Sequence, residues 1–200
     1  MTTSEAPKFR RYRSEERAAM LVEAGLACLA EGGITAFTVD NICRKSGASR
    51  GLIAHHFGGK DQLLAAVYAA AYAPLLADLA EATELEAILD KLFSPRHFTR
   101  DLLNIWLALW GEASVNPGLQ AEHRAHYAIF RQSLAAAIAR RSAAADAEAM
   151  AMTIIALVDG LWLELCIAPD LMTATRARGL VEAVLQPVLA SGTEQPTPYR

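Results

Sequence analysis

The sequence predicts an all-α protein, built as a three-helix N-terminal unit and a larger helical C-terminal one. Three observations carry that expectation. Hydrophobic residues make up 53% of the 200-residue chain and alanine is abundant, a composition that suits packed helices. Apolar positions recur at the helical period rather than alternating. Gly and Pro, the residues that break helices, gather at a few junctions. A chain of this length holds two such units, each with its own core, and leaves little room for a multidomain enzyme.

Residues 1–13 read as a basic flexible arm. Its Lys8, Arg10, Arg11 and Arg13 suit a phosphate backbone or a minor groove, and equally a solubilising tail. From Ser14 onward Ala18, Leu21, Gly25, Cys28 and Leu29 form a core-facing stripe, giving a first helix that Glu31-Gly32-Gly33 ends. Thr38 is a side-chain acceptor just ahead of Val39, Ile42 and Cys43, so it is placed to cap a second helix. Gly47 supplies the positive φ that closes that helix, and the small Cys43 lets the next one approach. Ser49 is placed to cap the third helix, with Leu52, Ile53 and Phe57 on its inner face.

Two short helices joined by a glycine turn make a helix-turn-helix, a device for reading DNA. Arg50 and Gly51 then fall in the first turn of the recognition helix, where side chains meet base edges, and His55 and His56 follow. Gly58-Gly59-Lys60-Asp61 opens a fourth helix whose amides and lysine suit a phosphate. That helix runs through Leu63, Leu64, Val67 and Tyr68, with Pro74 expected to bend or interrupt it. Further helices are predicted over 85–93, 99–114, 118–141, 145–167 and 171–189, with Pro95, Pro117 and Pro169 at the joints and 191–200 as a flexible tail. The expected domains are therefore 14–59 for DNA and 60–190 for regulation and dimerisation.

The formal net charge is −3, which seems unsuited to nucleic acid until its distribution is considered. Residues 1–60 carry nine Lys or Arg against six Asp or Glu, whereas 61–200 carry ten against sixteen. The positive field thus lies where the reader is. Cys28, Cys43 and Cys166 lie in apolar helical surroundings without CxxC or HxxxH spacing. They read as small buried hydrophobes in a reducing cytosol, with redox sensing as the alternative, and no metal or cofactor is expected. No secretion signal is visible, and the longest apolar stretch, 150–168, is interrupted by Asp159 and Glu164. A soluble cytoplasmic protein, with no membrane partner, is expected.

Glu31-Gly32-Gly33, Phe37-Thr38-Val39, Ser46-Gly47-Ala48-Ser49 and His56-Phe57-Gly58-Gly59-Lys60-Asp61-Gln62-Leu63-Leu64 resemble, in order and spacing, the DNA-binding domain of the TetR-type transcriptional repressors. The resemblance implies that Thr38, His56 and Lys60 contact phosphates, that Arg50 reads or lies near a base, and that Ser49 serves as cap, DNA contact or both. One contact does not carry over: the family usually has Tyr two residues before the position of His56, and this chain has Ala54. In the second half, Ile105-Trp106-Leu107-Ala108-Leu109-Trp110, Asn116-Pro117 and Ala156-Leu157-Val158-Asp159-Gly160-Leu161-Trp162-Leu163 resemble the regulatory domain of the BetI subgroup, choline-responsive repressors of glycine-betaine synthesis.

Trp106 and Trp110 share one helix face, as do Asp159 and Trp162. Aromatic rings with a carboxylate can enclose a quaternary ammonium such as choline; aromatics at helical spacing equally build a core or a dimer interface. The 150–167 helix is apolar on more than one face, more than a monomer's surface helix needs. By family resemblance it and the last helix form a four-helix dimer interface, which places two readers on a palindromic operator in double-stranded DNA. The expected function is a dimeric repressor released by a small-molecule effector. The alternatives are a TetR-type regulator with an unrelated hydrophobic effector and a DNA binder without one. An enzyme is not expected, since His55-His56 has no partnered nucleophile or carboxylate cluster.

Overall fold

A computed structural model describes residues 6–142 and 146–191, and among these residues helices joined by short turns and loops make up the chain, with no strand. The elements are α1 (Ala6–Ala36), α2 (Val39–Ser46), α3 (Arg50–Phe57), α4 (Lys60–Glu81), α5 (Leu85–Leu92), α6 (Arg100–Ala113), α7 (Pro117–Arg141), α8 (Ala147–Ile167) and α9 (Ala174–Ser191). Two compact units divide them: the described residues of Met1–Ala71 with Asn104–His123, and those of Tyr72–Leu103 with Arg124–Arg200.

Local chemistry fixes most boundaries. Gly32 and Gly33 leave helical geometry, Gly33 at φ 61°, and so break α1 where the glycine pair predicts. Polar side chains accept backbone N–H groups at helix starts: Asn116 from Gly118 and Leu119 at α7, Asp146 from Ala149 at α8, and Thr99 from Leu102 at α6. Within the first unit Leu21, Cys28, Leu29, Phe37, Ile42, Ile53, Leu63, Val67 and Tyr68 form the core. Gly25 lets α1 approach α4 closely, because a Cβ there would lie 2.6 Å from Val67 and 3.0 Å from Phe37.

Four expectations need correction. The helix starting at Ser14 runs back to Ala6, so 6–13 is helical rather than an arm. Pro7 stands in the first turn, where its missing N–H costs nothing, and the basic residues after it are good helix formers. Residues 1–5 and 192–200 lie outside the described residues. Pro74 sits inside α4 without ending it. The last helix starts at Ala174 rather than 171, because Thr173 caps it by accepting from Arg176 N–H at 3.2 Å. Finally, α8 is long and apolar enough to cross a membrane despite Asp159 and Glu164, as are Ser14–Ala36 and Lys60–Glu81. In this fold all three spend part of that apolar surface on helix packing.

Candidate nucleic-acid interface and regulatory half

The reader is assembled by its caps. Thr38, in extended geometry, accepts from Asn41 N–H at 3.2 Å and starts α2. Because the Thr38 oxygen is the acceptor in that bond, its own O–H stays available to donate to a phosphate. Gly47, left-handed at φ 68°, closes α2. Ser49 precedes α3 in extended geometry, but its hydroxyl makes no capping bond. The expected side-chain cap is therefore absent, and Ser49 is exposed.

Ile42 and Ile53 are fully buried and pin α2 and α3 to the core. Leu52 and Phe57, expected on the inner face, are only half-buried. Arg50, Gly51 and His55 are exposed along α3, with His56 half-buried and its ring edge-on to His55 at 5.1 Å. A Cβ on Gly51 would meet nothing closer than the Ser49 hydroxyl at 3.9 Å, so the protein's own packing does not demand glycine there. Gly58, at φ 79°, ends α3, and exposed Lys60 begins α4. The six exposed or half-exposed polar residues named from the sequence, with Gly51, thus lie within one run from the start of α2 to the start of α4.

The regulatory candidates fall in both units. In the first, Trp106 and Trp110 stack at 6.0 Å between centroids. Trp106 also meets the ring of fully buried Tyr68 edge-on at 5.8 Å, and the Tyr68 hydroxyl bonds His123 Nδ1 at 2.8 Å. In the second, Trp162 is 3% exposed and packs on Phe98, with its indole Nε1 unpartnered among the described residues. Burial pushes the Asp159 carboxyl up to about 7, and burial followed by the charge of Asp159 raises the Tyr127 phenol. The two indole groups are thus core as well as ligand candidates.

Cys28, Cys43 and Cys166 form no disulfide, and burial raises the Cys28 and Cys166 thiols, which makes them less reactive. No cluster of three metal-ligating side chains occurs among the described residues.

Residues 21–67 match the family of bacterial regulatory proteins of the tetR type, and residues 81–190 match the BetI-type transcriptional repressor C-terminal family. The chain belongs to the TetR family, with a BetI-type C-terminal domain. Relatives of this TetR-family chain include the HTH-type transcriptional regulator BetI 2 of Chromohalobacter salexigens, 31% identical, which covers 86% of this chain and 88% of its own length. Among solved structures, a transcriptional regulator from Pseudomonas aeruginosa superposes with a TM-score of 0.79 at 32% identity, over 94% of this chain and 97% of that one. A regulator from Saccharomonospora viridis, solved in complex with choline, shares the fold at a TM-score of 0.73 and 21% identity, over 86% of this chain and 96% of that one. The TetR/BetI-type regulators are a non-enzymatic family, in keeping with the expectation from sequence.

Several features of this TetR-family chain escape a reading of the sequence. Asp40 in α2 pairs with Arg50 in α3 at 2.5 Å. Asp78, almost buried, accepts from Arg96 at 2.9 Å and pairs with His97 at 2.7 Å. Its bond to His97, and then the cations beside it, hold the Asp78 carboxyl below the usual range against burial. The Tyr68–His123 bond joins groups 55 residues apart. Only the first had a legible signal, since the length of α2 plus a tight turn brings the first turns of the two helices together.

Proposed function

We propose that the chain is a ligand-responsive repressor: a two-fold dimer that reads a palindromic operator through 14–59 and is released when an effector binds its regulatory and dimerisation domain, 60–190. The observation that carries this reading is the α2–turn–α3 geometry, with Thr38 as cap, Gly47 as left-handed turn and Arg50 exposed in the first turn of α3. In this proposal Arg50 reads a base, Thr38, His56 and Lys60 hold phosphates, and Ser49, Gly51 and His55 are further DNA contacts. The dimer is supported by apolar residues left exposed on α8 and α9: Met152, Leu163, Ile167, Leu180 and Val184. Two readers would then lie about 34 Å apart, one turn of DNA. The proposed location is the cytoplasm, which follows from the DNA it would read.

The proposed effector is choline or a related quaternary ammonium. The BetI-type C-terminal domain supports it, as does a choline complex in a regulator of the same fold. So does the chemistry of Asp159, a carboxyl that burial holds near neutrality and that an adjacent cation would ionise. Trp162, close in sequence to Asp159, is a proposed aromatic contact, and Trp106 and Trp110 are the other aromatic candidates. A second reading, an unrelated hydrophobic effector, is favoured by the near-complete burial of Trp106 and Trp162 in packed rings.

The test is binding of the purified protein to its own promoter region, titrated with choline and then with unrelated small molecules. Release by choline supports the repressor and its effector together. Release by another compound transfers the effector role to that compound, and specific binding without release by any leaves a DNA binder without effector.

A further inference from the structure

The ion pair between Asp40 and Arg50 serves no evident purpose in the fold. Its side chains are 70% and 72% exposed, and pairs so open to water contribute little to stability. Its position is more informative than its strength. Asp40 is in the first turn of α2 and Arg50 is the first residue of α3, and the left-handed Gly47 between the helices brings the two together at 2.5 Å.

We infer that Asp40 is a positioning residue for base reading: its carboxylate holds the Arg50 guanidinium in the pose that meets a base edge. The inference rests on Arg50 being a base reader. Asp40 Oδ1 takes one proton of the Arg50 Nη2 group. That leaves the second Nη2 proton and a neighbouring N–H of the planar fork, the two parallel donors that a guanine O6/N7 edge accepts. A free arginine must give up much rotamer freedom to adopt that pose, and an arginine already held gives up less. When DNA displaces water from the interface, the attraction between the pair strengthens, because the local dielectric falls. The same carboxylate repels phosphates, so Asp40 lowers affinity for all DNA while raising discrimination between sequences.

The opposing effects make the test specific. Binding of wild type, Asp40→Asn, Asp40→Glu, Arg50→Ala and the Asp40→Asn/Arg50→Ala double variant is measured on the operator and on a scrambled duplex of equal length. The readout is the ratio of the two affinities at one salt concentration. Asp40→Asn is expected to bind the scrambled duplex more tightly and to lower the ratio by about fivefold. Asp40→Glu is expected to retain most of the ratio, because the carboxylate is kept. In the Arg50→Ala background, Asp40→Asn is expected to leave the ratio unchanged.

Equal tightening on both duplexes would reduce Asp40 to a repulsive charge and overturn the inference. A higher ratio in Asp40→Asn would make the pair a latch that DNA must break, and a further drop in the double variant would separate Asp40 from Arg50; either overturns it. If wild type itself fails to discriminate, the base-reader reading falls and takes this inference with it.

Discussion

The reader and the regulatory half are both helical, yet they reveal their chemistry in opposite ways. In the reader, candidate residues lie outside the core: Arg50, Gly51, His55 and Lys60 are exposed, while Ile42 and Ile53 do the packing. Function and stability there occupy different side chains. In the other half, the candidates Trp106 and Trp162 are themselves packed, and Asp159 is largely desolvated. If these residues also hold the effector, one side chain serves two ends, and a substitution that weakens effector binding also disturbs the fold. Substitutions in the regulatory half should therefore register first as stability, and those in the reader first as DNA affinity.

The largest effect is expected at Asp78. Asp78→Ala would leave buried His97, and Arg96 beside it, without their carboxylate, at a cost of about 3 kcal/mol in denaturant unfolding. Because the folded pKa of Asp78 is depressed, its contribution is present above the unfolded carboxylate range and lost as pH falls through the folded value. The difference between wild type and variant should narrow on acidification.

Asp159 carries the opposite sign. Its folded pKa of about 7 lies well above the usual carboxylate range, so stability falls as pH rises through the window between them. Asp159→Asn should stabilise the protein at pH 8 by about 2 kcal/mol, a gain that vanishes near pH 4. If Asp159 faces a cationic effector, the same variant should bind choline more weakly. Stabilisation without any loss of choline binding would assign Asp159 to the core alone.

The reader variants are smaller in stability and larger in binding. Thr38→Ala removes the cap of α2 and should cost about 1 kcal/mol. Thr38→Ser should restore the cap and, with its hydroxyl, operator affinity. Lys60→Ala should leave stability within about 0.5 kcal/mol. It should weaken binding to all sequences and reduce the salt slope by about one. An unchanged slope would remove Lys60 from the phosphate contacts.

The same contrast explains what was legible in the sequence. Caps, glycine turns and apolar spacing are local, so Thr38, Gly32-Gly33 and Gly47 declared the reader's geometry from their neighbours alone. Failures of local reading came where a local rule met competition. Proline was expected to bend or interrupt α4, and the interruption does not occur, since Pro74 is carried within the helix; Thr173 outcompeted Leu171 as the start of α9. The pairs Asp78–His97 and Tyr68–His123 are 19 and 55 residues apart, and no spacing rule on one helix brings such groups together. The motifs of the regulatory half declared a subgroup, whereas the chemistry of a ligand depends on such non-local contacts.

The most direct test of the proposed coupling is calorimetric titration of choline into the purified protein, with and without a saturating operator duplex. Effector and operator that favour different states must weaken one another equally, typically by a factor of about 5–150. The account predicts weaker choline binding when operator is present, and a matching loss of operator affinity when choline is present. Equal choline affinity in the two titrations would contradict it.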